Sequence, residues 1–403
     1  MEAQPLLTPE LLARFDAQRV PRYTSYPTAV QFRPLTDDGA YRRWLAGAAR
    51  EARLSLYLHV PFCRQLCWYC GCHTQAVSRD APVAAYVESL LGEIDLVVAA
   101  LGEGRSVAHL HWGGGTPSII GPERLAMVMA RLRRSFAFEP GAEIAIELDP
   151  RYVEPALIEA LAASGVTRAS LGVQTADARV QAAINRVQPI SAVREAVRLL
   201  RAGGIDRLNI DLIYGLPRMS VASCRDTVDA VLDLAPDRLA VFGYAHVPRM
   251  KPHQRLIDES TLPGGPERLA QFQAIGQALA AAGYVAIGLD HFAKAGDALA
   301  RARANGRLRR NFQGYTDDAA DALIGLGASA ISTLPAGYAQ NQSSGAAYAR
   351  AVAAGRLPVA RGLELSPDDR LRREVIERIM CDGRADLVAI AARHALAPPA
   401  PGP

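Results

Sequence analysis

A chain of 403 residues is too long for one small hydrophobic core, which leaves one large α/β unit with additions, or two domains. Hydrophobic residues make up 50% and charged residues 21%, as in an ordinary water-soluble globular protein. The net charge of +4, from 45 basic and 41 acidic residues, is too balanced for a protein that binds nucleic acid through bulk charge. No run of eighteen or more apolar residues suggests a membrane span, and the opening MEAQPLLTPELL lacks the basic start of a secretory signal. Four of the six cysteines fall within Cys63–Cys72. Such clustering argues against a disulfide framework and for the reducing cytoplasm, where grouped cysteines bind metal or do redox chemistry.

In chain order, residues 1–50 read as an extension that includes the arm PRYTSYPT. From Leu54 onward, short apolar runs alternate with amphipathic stretches. The runs are LSLYLHV (54–60), VAHLHW (107–112), EIAIELD (143–149), RASLGVQ (168–174), RLNIDLIYG (207–215) and RLAVFGYAHV (238–247). Each reads as a buried strand. The stretches between them repeat apolar residues at spacings of three and four and read as helices. Strand–helix alternation implies parallel βαβ units, and about six of them over residues 51–250 predict an α/β fold, a complete or partial βα barrel. A doubly wound open sheet is the rival. Residues 251–345 are expected to complete the barrel on the substrate side: YVAIGLDHF (284–292) is a seventh apolar run, and the Gly-rich LIGLGASAIS (323–332) packs against the barrel. The basic run Arg301 to Arg310 reads as a solvated helix face, or as a rim that attracts an anion. Residues 346–403 form a helical region that ends in a Pro- and Ala-rich, compositionally disordered tail.

Parallel α/β folds place chemistry at the carboxyl ends of the strands. Those ends carry the cysteine loop after Val60, Gly114-Gly115-Thr116, Glu147 and Asp149, Gln174, Asp211, and Ala245 with His246. Carboxylates such as Glu147 and Asp211 inside apolar runs are costly unless paired or bound. Consecutive glycines after a strand let backbone approach a small ligand, but GGG here has neither dinucleotide-fingerprint nor P-loop spacing. The loop CRQLCWYCGC spaces its first three cysteines three and two residues apart. Zinc sites more often pair two C-x-x-C knuckles separated by a dozen residues or more. Three thiolates on a four-iron cluster would leave one iron open, as a catalytic metal site needs.

CRQLCWYC resembles the cluster loop of radical S-adenosylmethionine enzymes. Together with PRYTSYPTAVQF, LHWGGGTPS, IELDP, LGVQ, NIDLIYGLP, YAHVP, DHFA, NFQGYT and YAQNQ, it resembles the oxygen-independent coproporphyrinogen III oxidase (dehydrogenase) family from about Pro21 to Asp382. The resemblance implies a [4Fe-4S] cluster on Cys63, Cys67 and Cys70. It implies one S-adenosylmethionine near Tyr57, Gly114, Glu147, Ala245 and Ile331, and a second near Tyr69, Gly115, Thr116, Gln174, Arg186 and Asp211. The implied reaction is oxidative decarboxylation of two propionates of coproporphyrinogen III to vinyl groups, started by a 5′-deoxyadenosyl radical, in haem biosynthesis. An electron-donating reductase or a flavodoxin- or ferredoxin-type protein is the implied partner of a cytoplasmic monomer. Arg22 and Arg310 are candidates for the substrate carboxylates because guanidinium geometry suits them. Cys72 is expected to be no ligand: a fourth thiolate would close the open iron, and Gly71 is expected to turn the chain and aim Cys72 away. It would shape the substrate side or simply pack. Two departures from the family pattern stand out. Thr175 occupies a position where an acidic residue is common, and the family's further helical segment is expected to be shortened. A haem chaperone or radical methyltransferase of the same branch is the alternative function, and a zinc-stabilised structural protein is the alternative from another class.

Overall fold

The computed structural model describes residues 23–395. Arg22 and the tail from Leu396 lie outside the described residues. Thirteen strands form one sheet: β1 (Arg33–Pro34), β2 (Leu54–Val60), β3 (Arg105–Gly114), β4 (Phe136–Leu148), β5 (Arg168–Gln174), β6 (Arg207–Tyr214), β7 (Arg238–Gly243), β8 (Tyr284–Ile287), β9 (His291–Lys294), β10 (Ala322–Leu326), β11 (Ile331–Thr333), β12 (Gly337–Asn341) and β13 (Val359–Glu364). Their spatial order is β1-β13-β12-β11-β10-β2-β3-β4-β5-β6-β7-β9-β8. The run from β10 through β2 to β7 is parallel throughout, and the strands outside it pair antiparallel. This is a partial βα barrel whose two edge strands, β1 and β8, do not pair with each other.

The six sequence runs correspond to β2–β7. Three regions differ from expectation. Ala322–Leu326 does not merely pack against the barrel; it is a seventh parallel strand beside β2, with Gly325 opposite Tyr57. The run 284–292 is a hairpin, β8 and β9, because Gly288 at φ 58° turns the chain there. The basic run is also divided: a short helix ends at Ala304, Gly306 turns at φ 62°, and Arg309–Arg310 pairs with Tyr315–Thr316.

Crossover helices cover one face of the sheet: α1 (Gly39–Ala46), α2 (Ala81–Leu101), α3 (Pro122–Ser135), α4 (Pro155–Ala163), α5 (Ile190–Ala202), α6 (Val221–Leu232) and α7 (Gly265–Ala281). Leu54, Leu56 and Leu58 of β2 and Leu90 and Ile94 of α2 are buried in the same core, at about 1.5–3 kcal/mol per large side chain. The alternate residues of the strands, Ser55, Tyr57, His109, His111, Asn209 and Asp211 among them, point to the other face and are polar. The barrel therefore encloses a polar hollow, not the aliphatic layers of a filled barrel. Its amino-terminal end is closed by ion pairs: Arg168 and Arg207 each reach Glu143 Oε2 at 3.0 Å, and Arg238 Nε reaches Asp297 at 2.7 Å. The helices α8 (Gly345–Ala353), α9 (Pro367–Asp382) and α10 (Leu387–Arg393) follow. The arm meets this region, with Tyr26 Oη donating to Asp369 at 2.9 Å and β1 pairing with β13.

Candidate active site

The loop that carries Cys63, Cys67 and Cys70 leaves the carboxyl end of β2 and is tied down on every side. Gly115 N donates to Val60 O at 2.8 Å and Thr116 N to Phe62 O at 2.8 Å, which locks the β3 end against the loop's entry. Gly114 has φ 118°, and a Cβ there would sit 2.7 Å from Val60 O; one on Gly115 would meet Thr74 Oγ1 and Phe62 O. Only glycine allows this approach. The Cys63 sulfur has Thr74 Oγ1 at 3.3 Å and Thr116 Oγ1 at 3.5 Å. Trp68 N donates to Ile184 O, Asn185 Nδ2 to Leu66 O, and Gln254 Nε2 to both Tyr69 O and Ala245 O. His253 Nε2 lies 2.8 Å from Cys70 O, and Lys251 Nζ donates to Cys72 O at 2.7 Å.

Positive charge gathers beside the sulfurs. Arg186 is buried; its Nη1 is 3.4 Å from Cys67 Sγ and 3.1 Å from Asp149 Oδ2, and its Nη2 donates to Gly172 O at 2.6 Å. Its Nε is buried without a partner among the described residues. Burial raises the Cys63 thiol, whereas contact with Cys72 and the charges of Lys251 and Arg186 lower Cys70. Cationic surroundings of this kind favour the thiolate that metal binding needs. Cys72 is exposed, and its interaction with the Cys70 thiol, followed by burial of the sulfur, raises it. Gly71 does not adopt a positive φ, and a Cβ on it would meet open space, so glycine is not what aims Cys72.

Below the loop, Tyr57 donates to or accepts from His59 Nδ1 at 3.0 Å and stacks on His111 at 5.9 Å. Glu147 Oε1 is 3.1 Å from His111 Nε2, and Oε2 accepts from Gly114 N at 3.2 Å. Asp211 accepts from Asn209 Nδ2 at 2.7 Å and Ser170 Oγ at 3.2 Å. Burial, and then the Glu147 charge, push Asp211 up to about 6. Gln174 is buried at φ 68°, and Thr175 after it is bonded to Thr227. Tyr57, Tyr69, Gly114, Gly115, Thr116, Glu147, Gln174, Arg186, Asp211 and Ala245 are thus drawn around one mouth. Ile331 sits two strands from Tyr57, on β11 with β10 between, beside Gly325, and its side chain packs near Phe32 and Tyr338. Arg310 is apart from the loop. Its guanidinium lies over Tyr315 at 4.4 Å, donates to Thr24 O at 3.0 Å, and lines a cavity of ≈ 890 Å³ with Tyr26, Phe312, Arg370 and Arg373.

Sequence reasoning gave no role to Thr74, His253 or Gln254, which hold the loop from outside the strands; no local pattern marks them. Among the described residues no three donors converge tightly enough for a single ion. The donor set itself fits an iron–sulfur cluster: three cysteines in one restrained loop, beside a glycine cradle and an arginine with an unpartnered buried nitrogen.

The Radical SAM superfamily model matches residues 57–231. An oxygen-independent coproporphyrinogen III oxidase of Bradyrhizobium diazoefficiens is 54% identical over 391 residues, 97% of this chain and 87% of that protein. One from Paracoccus denitrificans is 46% identical over 382 residues, covering 95% and 84%. The solved structure of the coproporphyrinogen III oxidase of Escherichia coli, described as a radical SAM enzyme, superposes with a TM-score of 0.89 at 39% identity, covering 93% of this chain and 86% of that one. With relatives this similar over nearly its whole length, the chain belongs to the oxygen-independent coproporphyrinogen III oxidase family of radical SAM enzymes.

Proposed function

We propose that the protein converts two propionate side chains of coproporphyrinogen III into vinyl groups, with Cys63, Cys67 and Cys70 holding a [4Fe-4S] cluster. The single observation that carries this reading is the anchored three-cysteine loop at the mouth of a polar barrel, in a chain of this family. When bound, the cluster and S-adenosylmethionine supply a carbon-centred radical able to take hydrogen from an unactivated carbon. The chain's own residues bind, orient and exclude water. Glu147 and Asp211 offer acceptors to hydroxyl or amino groups of S-adenosylmethionine, and Gly114 and Gly115 admit it to the backbone. Arg186 balances thiolate charge near Cys67. A second S-adenosylmethionine on the Tyr69, Gln174 and Arg186 side, an electron-donating reductase or a flavodoxin- or ferredoxin-type protein, and a cytoplasmic monomer complete the proposal.

The test is anaerobic turnover of coproporphyrinogen III with S-adenosylmethionine and a reductant. Protoporphyrinogen IX is the expected product; tight haem binding without turnover, or a methylated product, would select the chaperone or the methyltransferase. Cys63→Ala, Cys67→Ala and Cys70→Ala should each abolish the cluster absorbance and cofactor cleavage, while Cys72→Ser keeps iron near wild type. A full cluster in any of the first three, or iron loss in the fourth, would overturn the ligand assignment.

A further inference from the structure

Asp211 of β6, Ala240 of β7 and His291 of β9 are paired directly across adjacent strands, so their side chains share the polar face. With strands about 4.8 Å apart, the carboxylate and the imidazole stand about 10 Å from each other along this face, with only a methyl group between. The imidazole is held in place. Its Nδ1 lies 2.7 Å from Asp290 Oδ1, and the rings of Phe242 and Tyr315 meet it edge-on at 5.8 and 5.4 Å. Its Nε2 has no hydrogen-bond partner among the described residues. Gly314, at φ 140°, lies against this edge; a Cβ there would sit 3.5 Å from both Cε1 and Nε2.

We infer that His291 binds one carboxylate of the tetrapyrrole substrate through Nε2. Nδ1 is engaged by Asp290, so Nε2 is the ring nitrogen left to meet a ligand. A carboxylate is repelled by Asp211 and Glu147, so the imidazole end of this face is where it can rest, while Asp211, two strands away on the same face, serves hydrogen-bond donors. The arrangement separates the two polar demands and thereby orients a flat, polyanionic molecule. The inference rests on the coproporphyrinogen reading above and adds a specificity-determining residue to it.

The test uses the cluster-loaded full chain under anaerobic conditions, with coproporphyrin III as a fluorescent probe. His291→Leu should weaken probe binding about ten-fold or more, the effect of one lost charge-assisted hydrogen bond. His291→Gln, which keeps a donor, should recover part of it. Cluster absorbance, S-adenosylmethionine affinity and uncoupled cofactor cleavage should stay at wild-type levels in both. Probe binding within two-fold of wild type in His291→Leu would overturn the inference, and so would a parallel loss of S-adenosylmethionine affinity, which would assign the side chain to the cofactor. A wild-type protein that cleaves S-adenosylmethionine yet neither binds the probe nor decarboxylates coproporphyrinogen III would overturn the substrate reading, and the inference with it.

Discussion

Asp211 ionises against two opponents, its burial and the nearby Glu147 carboxylate, and it keeps its proton up to about pH 6. In the unfolded chain the same group releases it near 3.8. The folded state thus binds more protons between these values, and stability falls as pH rises from about 4 to about 6 and stays lower above. About two units correspond to a loss of up to ~3 kcal/mol. Asp211→Asn, which retains the acceptor for Asn209, should therefore stabilise the ligand-free protein at pH 8 by about 1–3 kcal/mol and flatten its curve. Urea midpoints across pH 4 to 8 measure this; a variant as pH-sensitive as wild type would clear Asp211 as the source. The strained position was legible in the sequence, because a carboxylate inside RLNIDLIYG contradicts its apolar surroundings. Arg186 was not legible from the residues alone. It follows a short helix, in a stretch with no strand pattern, and only the fold carries it to Cys67.

At the scale of elements, α2 does more than cover the sheet. Its Glu93 is buried among apolar neighbours and accepts from Gly327 N at 2.6 Å, Tyr348 Oη at 2.7 Å and Asn341 Nδ2. Two turns earlier, Tyr86 Oη donates to His59 O at 2.6 Å and accepts from Ala328 N at 3.0 Å. One helix thus clamps the β10–β11 connection and the end of β2, directly before the cysteine loop. Burial raises Glu93 to about 7, yet three donors depend on it. Glu93→Ala strands them in the core, and the expected loss is about 3 kcal/mol, read as a lower urea midpoint. A change under ~0.5 kcal/mol, the size of an ordinary surface substitution, would show that the clamp holds nothing. The sequence located α2 and β2–β7 because each buries an apolar stripe of the right period. It did not mark β10 as a strand, since Gly325, Gly327 and a run of small residues resemble packing filler. Nor did it pair β1 with β13, because two residues on an edge strand carry no local trace of a partner more than three hundred positions away.

At the scale of the whole fold, the partial barrel carries a polar inner face, with the cysteine loop at one end and a cluster of charges at the other. Three strand runs, RASLGVQ, RLNIDLIYG and RLAVFGYAHV, begin with arginine, and each alone reads as the solvated start of a strand. Together they form the charged end. Glu143 accepts from Arg168 Nε at 3.1 Å and Nη2 at 3.0 Å and from Arg207 Nη1 at 3.0 Å, and Arg168 also faces Asp297 at 3.8 Å. Burial alone would raise Glu143, but the guanidinium groups, led by Arg168, outweigh it and hold the carboxyl at about 2 against 4.5 when unfolded. The sign is the reverse of Asp211. This contribution is fully present above about pH 4.5 and is lost as pH falls through about 2, and it amounts to up to ~3 kcal/mol. Glu143→Gln should cost about that much at pH 7 by leaving the buried Arg168 guanidinium with Asp297 alone, and its stability should converge with wild type as pH approaches 2. Cluster formation by the folded fraction should be unaffected, since these charges lie at the opposite end of the strands from Cys63. Denaturant midpoints at a series of pH values decide it: a deficit that persists unchanged in acid would mean that Glu143 acts through packing, and that the closure of the barrel does not depend on its charge.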